Sequence, residues 1–436
     1  MSKIAHLLRN LCLLSICLGA PMRSINAQAQ HEFELPAPFH MRGGLPNFFD
    51  KVKNRIGSEL CVAYIGGSIT EARDGWRELT YHTLRTSFPH NTFKHVDAAI
   101  GGTTSTLGVF RMDQDVLRHK PDLLFVEFAV NDSPLPPDVI YRSIEGIVRK
   151  TWSANPNTDI CFVYTITETI VDKFRETGRF PRAAEAMEQV AQHYGIPSIH
   201  IGVEVAKLRE AGDLVFTGNP GEHPGKIVFT ADKVHPLPAS GHPICAHIVM
   251  KHLMEMQGRN ASHRHELKKP FVSDNWESAK MLSLSEFDEN KDWVKLEQDH
   301  PVQKQVASFI PALYKAVPPD ATIRIRFEGN VLGFYDVIGP GSGILDVNVN
   351  GKASEVTRFD NHCIHYRKTF FFLDGLNDGV NDVTIKVSGK EFDKAAILLQ
   401  NPRKLTMDDP ARFADNAWFL GNILMVGKPI AINFGD

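Results

Sequence analysis

The strongest constraint on this chain is an alternation between residues 60 and 257, where short apolar runs take turns with segments of helical spacing. Leu60-Cys61-Val62-Ala63-Tyr64-Ile65 is apolar throughout and ends on Gly66-Gly67, as a strand buried on both faces does. Residues 75–88 then show helical spacing, 93–100 read as a second strand, and 113–119 as a helix stopped by Pro121. Leu123-Leu124-Phe125-Val126-Glu127-Phe128 makes a third strand, 138–153 a helix, and Ile160-Cys161-Phe162-Val163-Tyr164 a fourth strand. A helix over 181–194, a short strand near 198–201, and helices over 203–211 and 241–257 complete the series. Strands that alternate with helices predict an α/β fold: a parallel sheet with helices on both faces.

The pattern changes after residue 257. Residues 258–274 are largely polar and unpatterned and predict a solvated linker. From residue 275 to 436 the period becomes two, as in Thr322-Ile323-Arg324-Ile325-Arg326-Phe327 and Asp382-Val383-Thr384-Ile385-Lys386-Val387. Ile344-Leu345-Asp346-Val347-Asn348-Val349 ends on Asn350-Gly351, a strong hairpin signal. Short strands between Gly, Asn and Asp turns predict a β-sandwich, jelly-roll-like.

Residues 1–29 read as a signal peptide. Lys3 and Arg9 precede an apolar run over 11–20, too short to span a bilayer, and Ala27-Gln28-Ala29 offers a cleavage site. Cys17 as a lipidated residue fits less well, because Ile16 stands where a small residue is usual. The mature protein is therefore expected to be secreted or periplasmic, with no membrane span. The whole chain holds 48 Lys and Arg against 51 Asp and Glu; without Lys3, Arg9 and Arg23 the mature part is net −6. Such a surface has no general attraction for nucleic acid or anionic lipid. Cys61, Cys161, Cys245 and Cys363 are too dispersed for a disulfide framework.

Four short blocks carry the chemistry. Gly66-Gly67-Ser68-Ile69-Thr70 follows the first strand, where glycines permit a sharp turn into a helix and lift a hydroxyl to the carboxyl end of the sheet. Ile100-Gly101-Gly102-Thr103 follows the second strand and can bring a bare backbone N–H to a reacting oxygen, from Gly102 or alternatively Gly101. Asn131, in Glu127-Phe128-Ala129-Val130-Asn131-Asp132, can aim an amide at an oxyanion, with Glu127 and Asp132 as structural neighbours. Asp232-Lys233-Val234-His235 sets a carboxylate three residues from an imidazole, so one ring nitrogen can be held while the other takes a proton. Alone each block is a commonplace turn; in this order, three of them behind successive strands, they converge on one sheet edge. His263 and His265 lack a convincing set of partner ligands, and His242, His247 and His252, five apart, do not share a helix face. None of these five predicts a metal centre. His223, in the Gly/Pro-rich loop 218–225, reads as solvated or as lining the acceptor side of a cleft.

Together the blocks resemble those of the SGNH, or GDSL-like, hydrolase superfamily over residues 58–257. That resemblance implies a flavodoxin-like catalytic domain (residues 30–257). It implies Ser68 as nucleophile, His235 with Asp232 as its base pair, and the Ser68 N–H, Gly102 and Asn131 as oxyanion hole. One departure is Gly67, where many members have Asp. The implied reaction is acyl transfer without metal or cofactor. The glycine-rich stretches around 327–333 and 338–343 are similar to accessory β-sandwich modules beside carbohydrate esterases, which implies an acetylated glycan as substrate. A lipid esterase or lysophospholipase, and a non-catalytic glycan-binding protein on the same scaffold, are the rival readings.

Overall fold

The protein is described by a computed structural model covering residues 37–286, 292–319 and 321–435. The expected signal peptide and Cys17 lie outside the described residues. Six strands make the first sheet: β1 (Phe39–His40), β2 (Glu59–Gly66), β3 (Thr92–Asp97), β4 (Leu123–Glu127), β5 (Asp159–Tyr164) and β6 (Ser198–His200). Their order is β1-β6-β5-β4-β2-β3. β2 to β6 run parallel, and β1 closes the edge antiparallel to β6. β4 and β5 are buried at every residue, and β2 at every residue but Glu59. That is why these segments are apolar throughout: helices cover both faces. From β2 the chain moves outward to β3 and then returns across β2 to β4. The carboxyl ends of β2 and β4 therefore flank the crevice where open α/β sheets bind ligands.

One helix differs from its expected place. The chain is helical over Ser105–Arg111, continues through a π turn at Met112–Val116, and ends in a 3-10 turn at Leu117–His119. The helix starts eight residues before the expected 113–119 because Asp132, 27 residues on, accepts from the Ser105 N–H at 2.9 Å. Gly108 sits in it because a Cβ there would come within 2.7 Å of the Phe128 ring.

Residues 258–274 hold no helix or strand and are mostly exposed, but they are anchored at several points. The His265 ring stacks on Trp152 at 4.6 Å and bonds Asp159 at 2.7 Å. The backbone N–H groups of Phe271 and Val272 donate to buried Glu145. Beyond this strap lies a nine-stranded antiparallel sheet built on two 17-residue strands, Thr322–Ile338 and Trp418–Phe434, paired along most of their length. Both strands break register around Gly329 and Gly427, where added Cβ atoms would meet the opposing backbone at 2.1 Å. There the sheet changes partners, pairing Thr322–Gly329 with Gly379–Lys386 and Gly333–Ile338 with Arg367–Phe372. The expected Asn350-Gly351 hairpin is present, both residues at positive φ.

Alternation along these strands decides how the β region meets the α/β unit. Leu332, Phe334, Phe371, Trp418, Ile423 and Met425 point into the β region's own core. Tyr335, Val337, Phe370, Phe372, Phe419, Leu424 and Val426 point the other way, into a core shared with Phe110, Ile140, Ile147 and Trp276. This second face is apolar because the α/β unit covers it. The same contact buries Glu145, Arg149 and Lys150 on the helix Pro137–Ala154, where Arg149 pairs with Glu277 at 2.6 Å and Lys150 donates to the Ala279 carbonyl at 2.6 Å.

Candidate active site

β2 ends at Gly66, and the four-residue helix Ser68–Glu71 starts at once. The turn is too tight for side chains. A Cβ on Gly66 would lie 2.6 Å from the Glu127 carbonyl, and one on Gly67 would lie 2.1 Å from Asn131 Oδ1. This accounts for the glycine at 67: the Asn131 amide rests against its Cα. Gly67→Ala is expected to push that amide away; with the oxyanion role proposed below for Asn131, kcat should fall about 10²–10³-fold with little change in KM. Steady-state kinetics on an activated acetate ester checks this.

Ser68 Oγ stands 2.9 Å from His235 Nε2, and His235 Nδ1 stands 2.7 Å from Asp232 Oδ2. Residues 167 apart in sequence thus meet in one line of hydrogen bonds. Asp232 Oδ1 also accepts from the backbone N–H groups of His235 at 2.7 Å and Val234 at 2.9 Å, which fixes the turn around the imidazole. Slight burial would raise the Asp232 carboxyl, but the hydrogen bonds from the His235 ring and the two N–H groups outweigh it and hold it down at about 2. Asp232 is therefore ionised throughout the neutral range. Lys233 takes φ +73°, and its carbonyl accepts from the Glu168 N–H at 2.9 Å. Leu237 N–H donates to Phe229 at 2.8 Å, tying the turn to the parallel pair Leu214–Thr217 and Ile227–Thr230.

The glycine turn after β3 separates its two candidates. Gly101 N–H donates to Glu71 Oε2 at 2.9 Å. Gly102, at φ +73°, has nothing within 4 Å of the position a Cβ would take and faces open space. Glu127 is buried and accepts from Thr70 at 2.8 Å and Thr165 at 2.7 Å, a bracket joining the ends of β2, β4 and β5. Burial pushes the Asp132 carboxyl up to about 7, against its bonds from Ser105. Both acids are buried. His242 Nδ1 accepts from the Trp76 N–H at 3.1 Å, His252 stacks on Phe39, and His223 folds over Gly218.

Sequence reasoning missed a cavity beside the glycine turn. Gly101, Gly102 and Thr103 open onto a cavity of about 430 Å³ whose other side comes from the β region, including Phe309, Tyr366, Arg367, Lys368 and Phe370. Lys368 Nζ lies 4.0 Å from the Phe309 ring centre. These residues lie more than 200 positions from the glycine turn, and no local motif marks them.

Comparison with known proteins follows this geometry. Residues 64–239 match the GDSL-like Lipase/Acylhydrolase family. No curated protein sequence matches the chain. Among solved structures, a two-domain esterase (CEX) active on acetylated mannans, co-crystallised with mannopentaose, superposes with TM-score 0.67 at 20% identity, over 90% of this chain and 97% of that one. The same esterase without that ligand gives 0.66 at 19%, over 89% and 96%. An acetylxylan esterase from Geobacillus stearothermophilus covers 45% of this chain and 95% of its own, at 21% identity and TM-score 0.35. The likeness to the two-domain esterase shows a shared fold through both parts of the chain, and residues 64–239 carry the match to the GDSL-like lipase/acylhydrolase family, a family of carboxylic ester hydrolases.

Proposed function

We propose that the protein removes O-acetyl groups from a polysaccharide or oligosaccharide through an acyl-enzyme on Ser68. The observation that carries this is the Ser68–His235–Asp232 line of hydrogen bonds beside a backbone turn open to solvent. His235 takes the Ser68 proton as Oγ attacks the acetyl carbonyl, while Asp232 holds the ring and stabilises the imidazolium. Negative charge then grows on the carbonyl oxygen. The Ser68 N–H, the Gly102 N–H and the Asn131 amide serve as its donors, each worth about 2.7–4 kcal/mol. His235 returns the proton to the departing sugar hydroxyl. Water, activated by the same imidazole, releases acetate and restores Ser68.

A glycan leaving group is favoured by the wall of the cavity. Phe309, Tyr366 and Phe370 offer ring surface, and Arg367 and Lys368 offer donors, beside the turn where the carbonyl oxygen would sit. Esterase CEX, similar along both parts of this chain, acts on acetylated mannans. For the chain as a whole we propose a signal peptide at 1–29, a catalytic domain at 30–257, a connecting strap at 258–274 and an accessory β domain at 275–436, with the mature protein secreted or periplasmic. The test is acetate release from acetylated mannan, acetylated xylan and 4-nitrophenyl acetate, with a long-chain ester and a lysophospholipid alongside. Release from at least one acetylated glycan, with no turnover of the lipid esters, is expected. Turnover of the lipid esters alone would replace this reading with lipolysis.

A further inference from the structure

Three residues far apart in sequence meet at the outer edge of the first sheet, away from the four blocks that assemble around Ser68. His40 lies on edge strand β1, His200 ends β6, and Glu188 projects from the helix Arg182–Tyr194. His40 Nε2 is 3.6 Å from Glu188 Oε2, and His200 Nε2 is 3.5 Å from Glu188 Oε1. One ligand atom from each residue falls within 4.8 Å of the other two. A tetrahedral ion with bonds of about 2.0–2.1 Å needs ligand atoms about 3.3–3.4 Å apart, so the three must draw together by up to about 1.5 Å to share one.

The His200 ring gives an independent reason to look for a ligand. Its side chain is 2% exposed; among the described residues Nδ1 has no hydrogen-bond partner, and Nε2 has only the 3.5 Å approach of Glu188 Oε1. Buried polar groups in folded proteins are nearly always paired, and an orphan points to a bound ion or water. Its surroundings fix the ring without satisfying it: Phe180 stacks on it at 4.0 Å and Tyr164 meets it edge-on at 4.5 Å.

The partners of Glu188 match those of a ligating carboxylate. Arg42 Nη2 donates to Oε2 at 2.5 Å, and the Tyr164 hydroxyl donates to Oε1 at 2.8 Å. Each oxygen thus has one outside donor and one neighbouring imidazole, an arrangement in which outer hydrogen bonds orient a metal-binding carboxylate. Arg42 takes φ +42° to reach this place, a backbone conformation rare outside glycine. His40 is 37% exposed and provides the way in.

We infer that His40, Glu188 and His200 form a binding site for a divalent transition metal ion of the zinc class, which rivets the two-residue strand β1 to the edge of the sheet. Two imidazoles and one carboxylate suit zinc, cobalt or nickel; calcium and magnesium prefer all-oxygen sets. The role is structural, and the inference does not depend on the function proposed for Ser68.

The test uses tag-free mature protein, stripped with a chelator and titrated with Co²⁺ and separately with Zn²⁺. One Co²⁺ per chain should bind with the visible bands of a low-symmetry, near-tetrahedral site, and Zn²⁺ should displace it and raise Tm by several degrees. His40→Gln, at a partly exposed position that should not disturb folding, is expected to weaken binding at least tenfold and abolish the Zn²⁺ shift in Tm while leaving ester hydrolysis unchanged. His200→Ala should lose the bands altogether. Wild-type protein that takes up no Co²⁺ or Zn²⁺ at 100-fold molar excess would overturn the site and leave a water as the partner of His200. Unaltered binding by His40→Gln would overturn it equally.

Discussion

Ser68→Ala is expected to lower kcat/KM for acetyl ester hydrolysis by about 10⁵–10⁶-fold with Tm unchanged to within about 2 °C. The loss should be that large because the hydroxyl and the imidazole act as one unit: without Oγ, His235 has no proton to move and no bond to make. Stability should hold because only the 2.9 Å contact with His235 is lost, at a position open to solvent. The residual rate should be that of a site that still binds and polarises the ester. Adding His235→Ala should cost little more, since groups that work as a unit are strongly non-additive. Kinetics of the two single variants and the double variant, beside thermal melts, check each part.

The second large effect is expected at Asp232. Asp232→Asn should lower kcat by about 10⁴-fold while leaving KM nearly unchanged. The reason is specific to this turn. Oδ1 accepts from the N–H groups of Val234 and His235, and an asparagine oxygen can keep both bonds. The amide group then faces His235 Nδ1 at the place of Oδ2, as a donor where the wild type has an acceptor. The neutral ring answers by placing its proton on Nε2, the nitrogen that must be free to accept from Ser68. Asp232→Ala would confuse this with collapse of the turn, so the asparagine variant is the informative one. Equal kcat for Asp232→Asn and wild type would mean that the carboxylate does not set the tautomer.

Much of the fold and of the proposed site was legible in the chain because the candidate residues lie close in sequence to the strands that carry them. Ser68, Gly102 and Asn131 each follow a strand by two to five residues, so finding the strands found the sheet edge. The Asp232–His235 pair sits within one turn and carries its own hydrogen bonds. What sequence could not show depends on long-range partners. The helix Ser105–Arg111 contains glycine and β-branched residues, weak helix formers, and it is set by Asp132 and by the Phe128 ring over Gly108. Glu145, Arg149 and Lys150 look like a solvated helix face, yet the strap and the β region bury them. His265 looked solvated in a polar run, yet it is held between Trp152 and Asp159. The engagement of the Gly101 N–H by Glu71, which favours Gly102 as the proposed donor, rests on a contact 30 residues away in sequence. Phe309 and Tyr366 reach the cavity only because the β region packs against the α/β unit.

The most direct test is mass spectrometry of enzyme quenched with acid during steady-state turnover of 4-nitrophenyl acetate, followed by peptide mapping. One acetyl group on the peptide that holds Ser68, absent from the Ser68→Ala protein, is the predicted result. Acetyl on another residue, or full turnover by Ser68→Ala, would contradict the account.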